Sequence, residues 1–218
     1  MKVRLAPLLL GAGALASCGG FFESEQPAPQ AYVLRLPARA TLPGAEPPVG
    51  SVLVQRPEAG PGLDSERIAL LRSGNRFDFY AASRWAAPAP DLLEDVIVDR
   101  LRSTRAFSAV FDNAAPFAPQ YTLRLTLRRF EADYTQAEGG PRVYVVLDCT
   151  LARHRDRELL ASFSATGSAV ASEDRLNAVV AAFAAATDIA VTEVERTALS
   201  TVAHEPRVGA VAAASESR

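Results

Sequence analysis

The chain has 218 residues, of which 49% are hydrophobic, and a formal net charge of −2 at pH 7. This length suits one domain with a substantial core and leaves little room for a second. Because the charge is mildly acidic and no basic block is present, the composition argues against a nucleic-acid partner.

The N-terminal segment, residues 1–17, predicts export as a signal peptide. A basic start with Lys2 and Arg4 precedes an apolar run that is too short for a permanent membrane helix. The run ends in Leu-Ala-Ser-Cys, which resembles the lipobox of bacterial lipoproteins. Cys18 is therefore expected to be acylated and to become the first mature residue. The alternative is an ordinary signal peptide followed by an incidental cysteine.

The mature chain divides into three parts. Residues 18–30 are expected to hold the lipidated cysteine and a flexible Pro- and Gly-rich tether, since such a segment buries little surface. One domain is expected over residues 31–203, and residues 204–218 are expected to form a disordered tail. We identify no further run long enough for a transmembrane helix, so lipid is the predicted membrane attachment.

Short strands and a hairpin are predicted before the first helix. Strands are expected at Tyr32–Leu36 and Ser51–Gln55, each ended by a nearby proline. Ile68–Arg72 and Arg76–Tyr80 are predicted to be the arms of a β-hairpin, because the Ser-Gly-Asn sequence between them tolerates positive φ. The alternation of the second arm places its two phenylalanines inward and Tyr80 outward.

The first helix is predicted to begin at Pro90, whose fixed φ suits the first helical position. Leu93, Ile97 and Leu101 recur with the spacing of a buried stripe. Arg100 falls inside that stripe, and we expect its long side chain to carry the guanidinium to water.

The second half is predicted to be rich in strands. Phe107–Phe111 forms a short strand, and strict alternation of apolar and polar residues follows from Tyr121 and again from Val143. With a third long strand at Leu159–Val170, these segments predict an antiparallel meander.

A long Ala-rich helix, from about Glu173 to about Ala203, closes the predicted domain, and Ser172 is its expected N-cap. The predicted fold class is α/β of mixed type. It consists of a single, mainly antiparallel sheet with two main helices packed on it in one domain.

No catalytic or metal-binding pattern is found. His154 and His204 are isolated, and neither has the spacing of a metal pair. Cys149 lies in an apolar strand pattern, which favours a buried thiol over a reactive one. Nucleophile-elbow, phosphate-loop and dinucleotide motifs are absent. We therefore expect a non-enzymatic protein with no cofactor and no metal.

One part of the chain contains several short segments whose combination is distinctive. Its segments are Arg56-Pro57, Pro61 to Leu70, Asn75 to Tyr80, Arg84 to Pro88 and Pro90 to Leu93. In this order they resemble the ABC-type transport auxiliary lipoprotein family of PqiC-like outer-membrane lipoproteins. The resemblance extends over about residues 32–199.

The resemblance implies a lipoprotein held in the outer membrane of a Gram-negative bacterium by acyl chains such as palmitate on Cys18, facing the periplasm. Gly19 after the cysteine fits outer-membrane sorting. The implied partners are ABC transporter subunits and an MCE-domain (mammalian-cell-entry type) protein of an intermembrane lipid transport system. The alternative is a lipid-binding or outer-membrane assembly chaperone, which needs an apolar cavity. A hydrolase has no catalytic groups to support it.

Two groups of residues in the motif are candidates for a role. The first is expected to fix a loop: Asp64 and Ser65 cap a turn, and either Arg56 or Arg67 pairs with Asp64. The second group, of possible partner contacts, contains Tyr80, Arg84 and Trp85, since aromatic and arginine side chains dominate interface hot spots. For Trp85, packing over the sheet edge is the alternative.

Overall fold

The structure is a computed structural model that describes residues 28–37, 48–112, 118–135 and 139–205. The predicted signal peptide, Cys18, most of the tether and nearly all of the predicted tail lie outside the described residues. The ten strands are β1 (Gln30–Tyr32), β2 (Val49–Val54), β3 (Glu58–Ala59), β4 (Ala69–Arg72), β5 (Arg76–Phe79), β6 (Ser83–Trp85), β7 (Phe107–Phe111), β8 (Tyr121–Asp133), β9 (Arg142–Arg153) and β10 (Leu159–Val170). The two helices are α1 (Ala89–Thr104) and α2 (Leu176–Ala203).

The main sheet is organised around β8. One side of β8 pairs with β9, and β9 pairs with β10, in both cases antiparallel. The predicted meander is therefore confirmed, and the predicted bounds of β7 and β10 coincide with the observed ones. A register shift between Leu127 and Arg129 changes the alternation, so that Phe130 and Ala132 continue the buried face of β8.

The other side of β8 corrects the prediction of a mainly antiparallel sheet. Here β8 pairs with β2, β3 and β4 in succession, and all three pairings are parallel. β2 also pairs with β7 in parallel, whereas β4 and β5 form the antiparallel hairpin. A two-residue alternation shows which face of a strand is buried, but it does not show the direction of the neighbouring strand. The mixed α/β class itself is confirmed.

A second, two-stranded sheet corrects two further expectations, the single sheet and the first strand. β1 pairs with β6 in parallel, and Gln30 lies opposite Ser83. The predicted strand at Tyr32–Leu36 is thus displaced toward the N-terminus and shares only Tyr32 with β1. The polar residues of β1 are strand residues because of a distant pairing partner, which local propensity does not reveal.

The β4–β5 hairpin is confirmed, including its tip, where Gly74 and Asn75 have φ values of 75° and 57°. The predicted inward side of the second arm is wrong in part. Phe77 is 41% exposed and contacts Phe79 edge to face. This hairpin pairs with the end of β8 at the margin of the sheet, so only part of its inner face is covered.

α1 begins one residue before the predicted start, and its stripe is buried as predicted. The expectation for Arg100 is wrong, since its side chain is only 5% exposed. The guanidinium forms an ion pair with Asp188 of α2 and donates a hydrogen bond to Thr192 Oγ1 at 3.3 Å. A helix periodicity marks a position as buried, but it does not reveal that another helix supplies a carboxylate there.

α2 begins at Leu176, after Arg175, and no side chain caps it; the prediction of Ser172 as the N-cap is wrong. By length and composition alone α2 could cross a membrane, contrary to our expectation that no such run follows the leader. Its buried side chains, among them Phe183, Ala186 and Ala190, instead form part of the hydrophobic core with the sheet. A Cβ on Gly167 of β10 would stand 1.9 Å from the Ala186 carbonyl oxygen, so the helix lies directly against this strand.

Candidate functional site

Arg56 connects two elements that are distant in the chain. Its Nη2 lies 2.7 Å from Asp64 Oδ1 in the turn after β3, and its Nε forms an ion pair with Asp91 in the first turn of α1. The hydrogen bond from Arg56 lowers the pKa of Asp64 below its usual range. The carboxylate of Asp91 also faces the positive end of the helix dipole. The loop is thereby attached to the start of α1.

The other two residues of the loop-structuring group act within the same segment. The Ser65 Oγ accepts a hydrogen bond from the Arg67 backbone N–H at 3.3 Å and donates one to the Gly62 carbonyl at 3.4 Å. The Arg67 guanidinium carbon lies 3.4 Å from the centroid of the Phe79 ring, a cation–π contact. Of the two arginines considered for Asp64, the structure therefore pairs Arg56 with it.

Trp85 is fully buried, and this favours packing over partner contact for this residue. Its ring contacts Phe183 of α2 at 5.1 Å and Phe130 of β8 at 5.6 Å between centroids. Its indole Nε1 finds no hydrogen-bond partner among the described residues. The neighbouring Arg84 is half-buried and bound to Glu66 at 2.7 Å. Trp85 thus joins α2, β6 and β8 in one aromatic cluster.

The predicted outward orientation of Tyr80 is wrong, since this side chain faces the protein more than solvent. Its hydroxyl lies 2.8 Å from the Tyr134 hydroxyl, and Tyr134 in turn donates a hydrogen bond to Asp174 Oδ1 at 2.5 Å. Burial, with a smaller effect of the Tyr134 hydrogen bond, raises the pKa of Tyr80 far above its usual value. The chain of three side chains ties the hairpin to the segment that leads into α2.

The cysteine and the two histidines, whose side chains could take part in catalysis or metal binding, do not form a common site. Burial raises the pKa of Cys149 to about 12, so its thiol is protonated at neutral pH and is a poor nucleophile. His154 Nδ1 lies 3.2 Å from Thr122 Oγ1, and His204 Nδ1 lies 2.6 Å from the Ser200 carbonyl oxygen. Within the described ranges no group of three His, Cys, Asp or Glu side chains could hold a metal ion.

The outer edge of β10 is a candidate binding surface. No described strand pairs with this edge, although β10 is twelve residues long. The edge carries no charged residue and no proline, the devices that usually protect exposed edges. Beside it, Ser164 and Thr166 face Ile189 and Glu193 of α2 across a groove of about 480 Å³. Ile189 is 49% exposed.

In the sequence of β10, Ser162, Ser164 and Thr166 alternate with small or apolar residues and form a polar, uncharged face, but this pattern does not indicate that the strand ends the sheet. Ile189 was also missed. An isoleucine outside the buried stripe of a helix is a signal that could have identified it, because such a residue has no packing role on the core side. Both β10 and Ile189 lie outside the motif segments given in the sequence analysis.

The family of the chain follows from a comparison with family models. The model of the ABC-type transport auxiliary lipoprotein component matches residues 32–195. The chain belongs to this family. The match includes the eight-stranded sheet, β6, α1 and most of α2. Transport auxiliary lipoproteins are not a known enzyme family, and they are associated with membranes of the cell envelope and with transporter components.

Solved structures agree with this assignment. The crystal structure of protein XCC0632 from Xanthomonas campestris is similar with a TM-score of 0.70 and 30% identity, and the match covers 79% of this chain and 96% of that one. An uncharacterized protein gives a TM-score of 0.62 at 16% identity, with 79% and 99% covered. The hypothetical protein CT253 from Chlamydia trachomatis gives 0.50 at 8% identity, with 72% and 99% covered. The last two likenesses concern the fold alone. The search of curated proteins gives no match.

Proposed function

We propose that this transport auxiliary lipoprotein is a non-catalytic subunit of an MCE/ABC-type intermembrane lipid transport system, anchored in the outer membrane through acyl chains on Cys18. The observation that carries the proposal is the family match over residues 32–195 in a chain that also begins with a lipobox-like sequence. Residues 1–17 are removed, residues 18–30 act as the tether, and the domain faces the periplasm. Its function is to hold the MCE-domain partner at this membrane.

The position of the N-terminus supports an orientation for the domain. The Tyr32 hydroxyl donates a hydrogen bond to Asn177 Oδ1 at 3.1 Å, which places β1 beside the first turn of α2. At 1.5 Å per residue, the 28 residues of α2 extend about 40 Å to its other end. The tether therefore joins the domain at the end opposite the C-terminal end of α2, while the edge of β10 runs along the flank.

The docking element that the geometry supports best is the edge of β10. An extended segment of the partner can add to this edge as a further strand, with main-chain hydrogen bonds for affinity and a side-chain pocket for specificity. The groove beside Ile189 supplies such a pocket. Small side chains at Ser162, Ser164 and Thr166 let another backbone approach closely.

The experiment is a pull-down of the MCE-domain protein of the same system with the full lipidated chain. Thr166→Lys places a charge on the edge strand, and Ile189→Glu replaces the apolar side chain of an otherwise polar groove with a carboxylate; we expect each to abolish capture. The control is Val33→Glu, which changes another exposed apolar residue, 51% exposed, outside α2 and β10. If the unchanged chain captures no MCE-domain protein, the proposed function is wrong.

Anchoring is tested separately by Cys18→Ala with fractionation of the cell envelope. We expect the domain to fold and to appear in the soluble periplasmic fraction, since it has lost its acyl chains. A Cys18→Ala protein that remained in the outer-membrane fraction and kept full transport would contradict the anchoring part of the proposal.

A further inference from the structure

Two cavities adjoin at the end of the sheet where β9 turns into β10. The first has a volume of about 490 Å³ and the second about 750 Å³. They share the consecutive residues Arg153, His154 and Arg155, so they lie on either side of one short segment. Both volumes fall in the range of small-ligand pockets, about 300–1,000 Å³.

The larger cavity is basic. Arg124 and Arg157 line it and are exposed, and neither forms an ion pair with a described residue. Arg157 is held in the left-handed region, with φ of 58°. Arg153 is different, because Glu158 and Asp156 lie 2.5 and 3.0 Å from its Nη1, so its charge is already neutralised. The cavity therefore offers two free guanidinium groups for an anion.

Hydroxyl groups and two leucines complete the lining of this basic cavity. Thr122 and Thr150 face it beside the arginines. Leu53 and Leu159 also line it, and Leu159 is 60% exposed. Arginine binds phosphate and carboxylate groups through paired N–H donors, and neighbouring hydroxyls add further hydrogen bonds.

The smaller cavity is mainly apolar. Side chains from three separate parts of the chain surround it, namely Val49, Tyr121 and Val202, together with Pro48 and Pro119. It is open, and the last residue of α2, Ala203, stands exposed in its wall. Gln120 and Glu205 also line it, and a hydrocarbon chain placed against the apolar side chains would be removed from water, which is favourable.

We propose that the two cavities form one site for an anionic amphiphile, a molecule with a phosphate-type head and an acyl chain. The head binds between Arg124 and Arg157, and the acyl chain passes the Arg153–Arg155 segment into the apolar cavity. This proposal rests on the proposed lipid transport function, and it names the class of ligand that the domain itself contacts.

The location of the site fits a ligand in transit between membranes. Glu205, two residues after the end of α2, lines the apolar cavity, whereas the N-terminal strand lies beside the first turn of the same helix. The site is thus separated from the anchored end by the length of α2, about 40 Å. An amphiphile bound here is therefore at the opposite end of α2 from the point where the tether joins the domain.

The test uses the full mature chain with Cys18→Ala, so that no acyl chain of its own competes. Calorimetric titration with lysophosphatidylglycerol, below its micelle-forming concentration, should give one site per chain. Arg124→Gln with Arg157→Gln should weaken binding by about tenfold or more, since charge-assisted hydrogen bonds are lost. Arg142→Gln, at the opposite end of β9 and without a described ion pair, should leave the affinity unchanged.

A second pair of variants tests the apolar cavity. Ala203→Trp should fill it and abolish binding, whereas Ala185→Trp, at another exposed alanine of α2, should not. Equal affinity for glycerol phosphate would show a site for free phosphate compounds, and equal affinity for dodecyl maltoside would show an apolar site without a role for the arginines; either result overturns the proposal. This titration contains no partner protein, so its failure is distinct from failure of the pull-down.

Discussion

The segment from Arg56 to Asp91 and the edge strand β10 use their polar side chains in opposite ways. In the first region the arginines are bound to the protein itself, as Arg56 is to Asp64 and Asp91, and Arg84 is to Glu66. In the second, the exposed Ser162, Ser164 and Thr166 lie along an edge that no described strand covers.

This difference shows that a dense motif need not be a binding surface. The motif of the ABC transport auxiliary lipoproteins collects residue types that are typical of interfaces, yet here they attach a loop, a hairpin and α1 to the core. The edge of β10, the docking surface that we propose, carries small, uncharged side chains. Its distinguishing property is the unpaired backbone, which a residue pattern does not record.

The strongest test of the internal role of the motif is Trp85→Ala. Removal of the ring from its cluster with Phe130 and Phe183 should destabilise the domain by about 3–5 kcal/mol, as is typical of large aromatic residues in cores. Trp85→Phe should cost much less, because it keeps an aromatic ring and removes the unpartnered indole N–H. Urea unfolding followed by circular dichroism measures both. A Trp85→Ala protein with unchanged stability would show that the ring is not part of the core.

Arg100 is another arginine bound within the protein, and its variants test the contact between α1 and α2. Arg100→Ala leaves Asp188 without its buried partner and should cost about 3 kcal/mol. Arg100→Met, which keeps most of the volume of the side chain, should be milder than alanine in the same urea experiment. If the two variants were equally stable, the packing of the arginine stem would contribute nothing.

Gly167 tests how closely α2 lies on the edge strand. Gly167→Ala introduces a Cβ at 1.9 Å from the Ala186 carbonyl oxygen, so the helix must move away. We expect a loss of about 1–3 kcal/mol, the usual cost of overpacking. Gly60→Ala is the matched control, since its added Cβ would meet nothing within 4 Å. Similar thermal midpoints for the two variants would contradict the close packing.

The smallest expected effects are on the pH dependence of stability. Burial raises the pKa of Glu131 above its usual 4.5, although Arg129 partly offsets this, so its contribution is present at low pH and is lost as pH rises through the raised pKa. The Arg56 hydrogen bond lowers the pKa of Asp64, whose contribution is present above pH 3.8 and is lost as pH falls through the lowered pKa.

Urea midpoints measured from pH 3 to pH 7 separate these opposite trends. Glu131→Gln should remove a decline of stability with rising pH, and Asp64→Asn should remove a decline with falling pH. If both variants gave the same pH dependence as the unchanged protein, neither carboxyl group would be perturbed in the way described.

The sequence predicted the elements that depend on local pattern. The hairpin at Gly74 and Asn75, the strand Phe107–Phe111 and the long meander were all visible, because turn residues and two-residue alternation are local signals. The parallel pairings of β8 were not visible, since they join segments far apart in the chain. Arg100 was misplaced for the same reason, because its partner Asp188 is on another helix.

For the candidate site, the sequence predicted which residues are distinctive, but not how they are arranged. The sequence identified the motif residues and suggested both a packing and a contact role for Trp85, but only the three-dimensional arrangement distinguishes a buried cluster from a surface. Likewise, Arg124 and Arg157 are unremarkable in their strand and turn, and it is the fold that brings them to one cavity beside an apolar one.

The most direct test of the central claim is amide hydrogen exchange of the domain, free and bound to the proposed MCE-domain partner. If the partner adds a strand to the free edge, amides within Leu159–Val170 should exchange more slowly in the complex, while those of the motif segment from Arg56 to Asp91 should be unchanged. Protection confined to the motif segment, with none in β10, would contradict the account. It would show that the partner binds the motif segment instead.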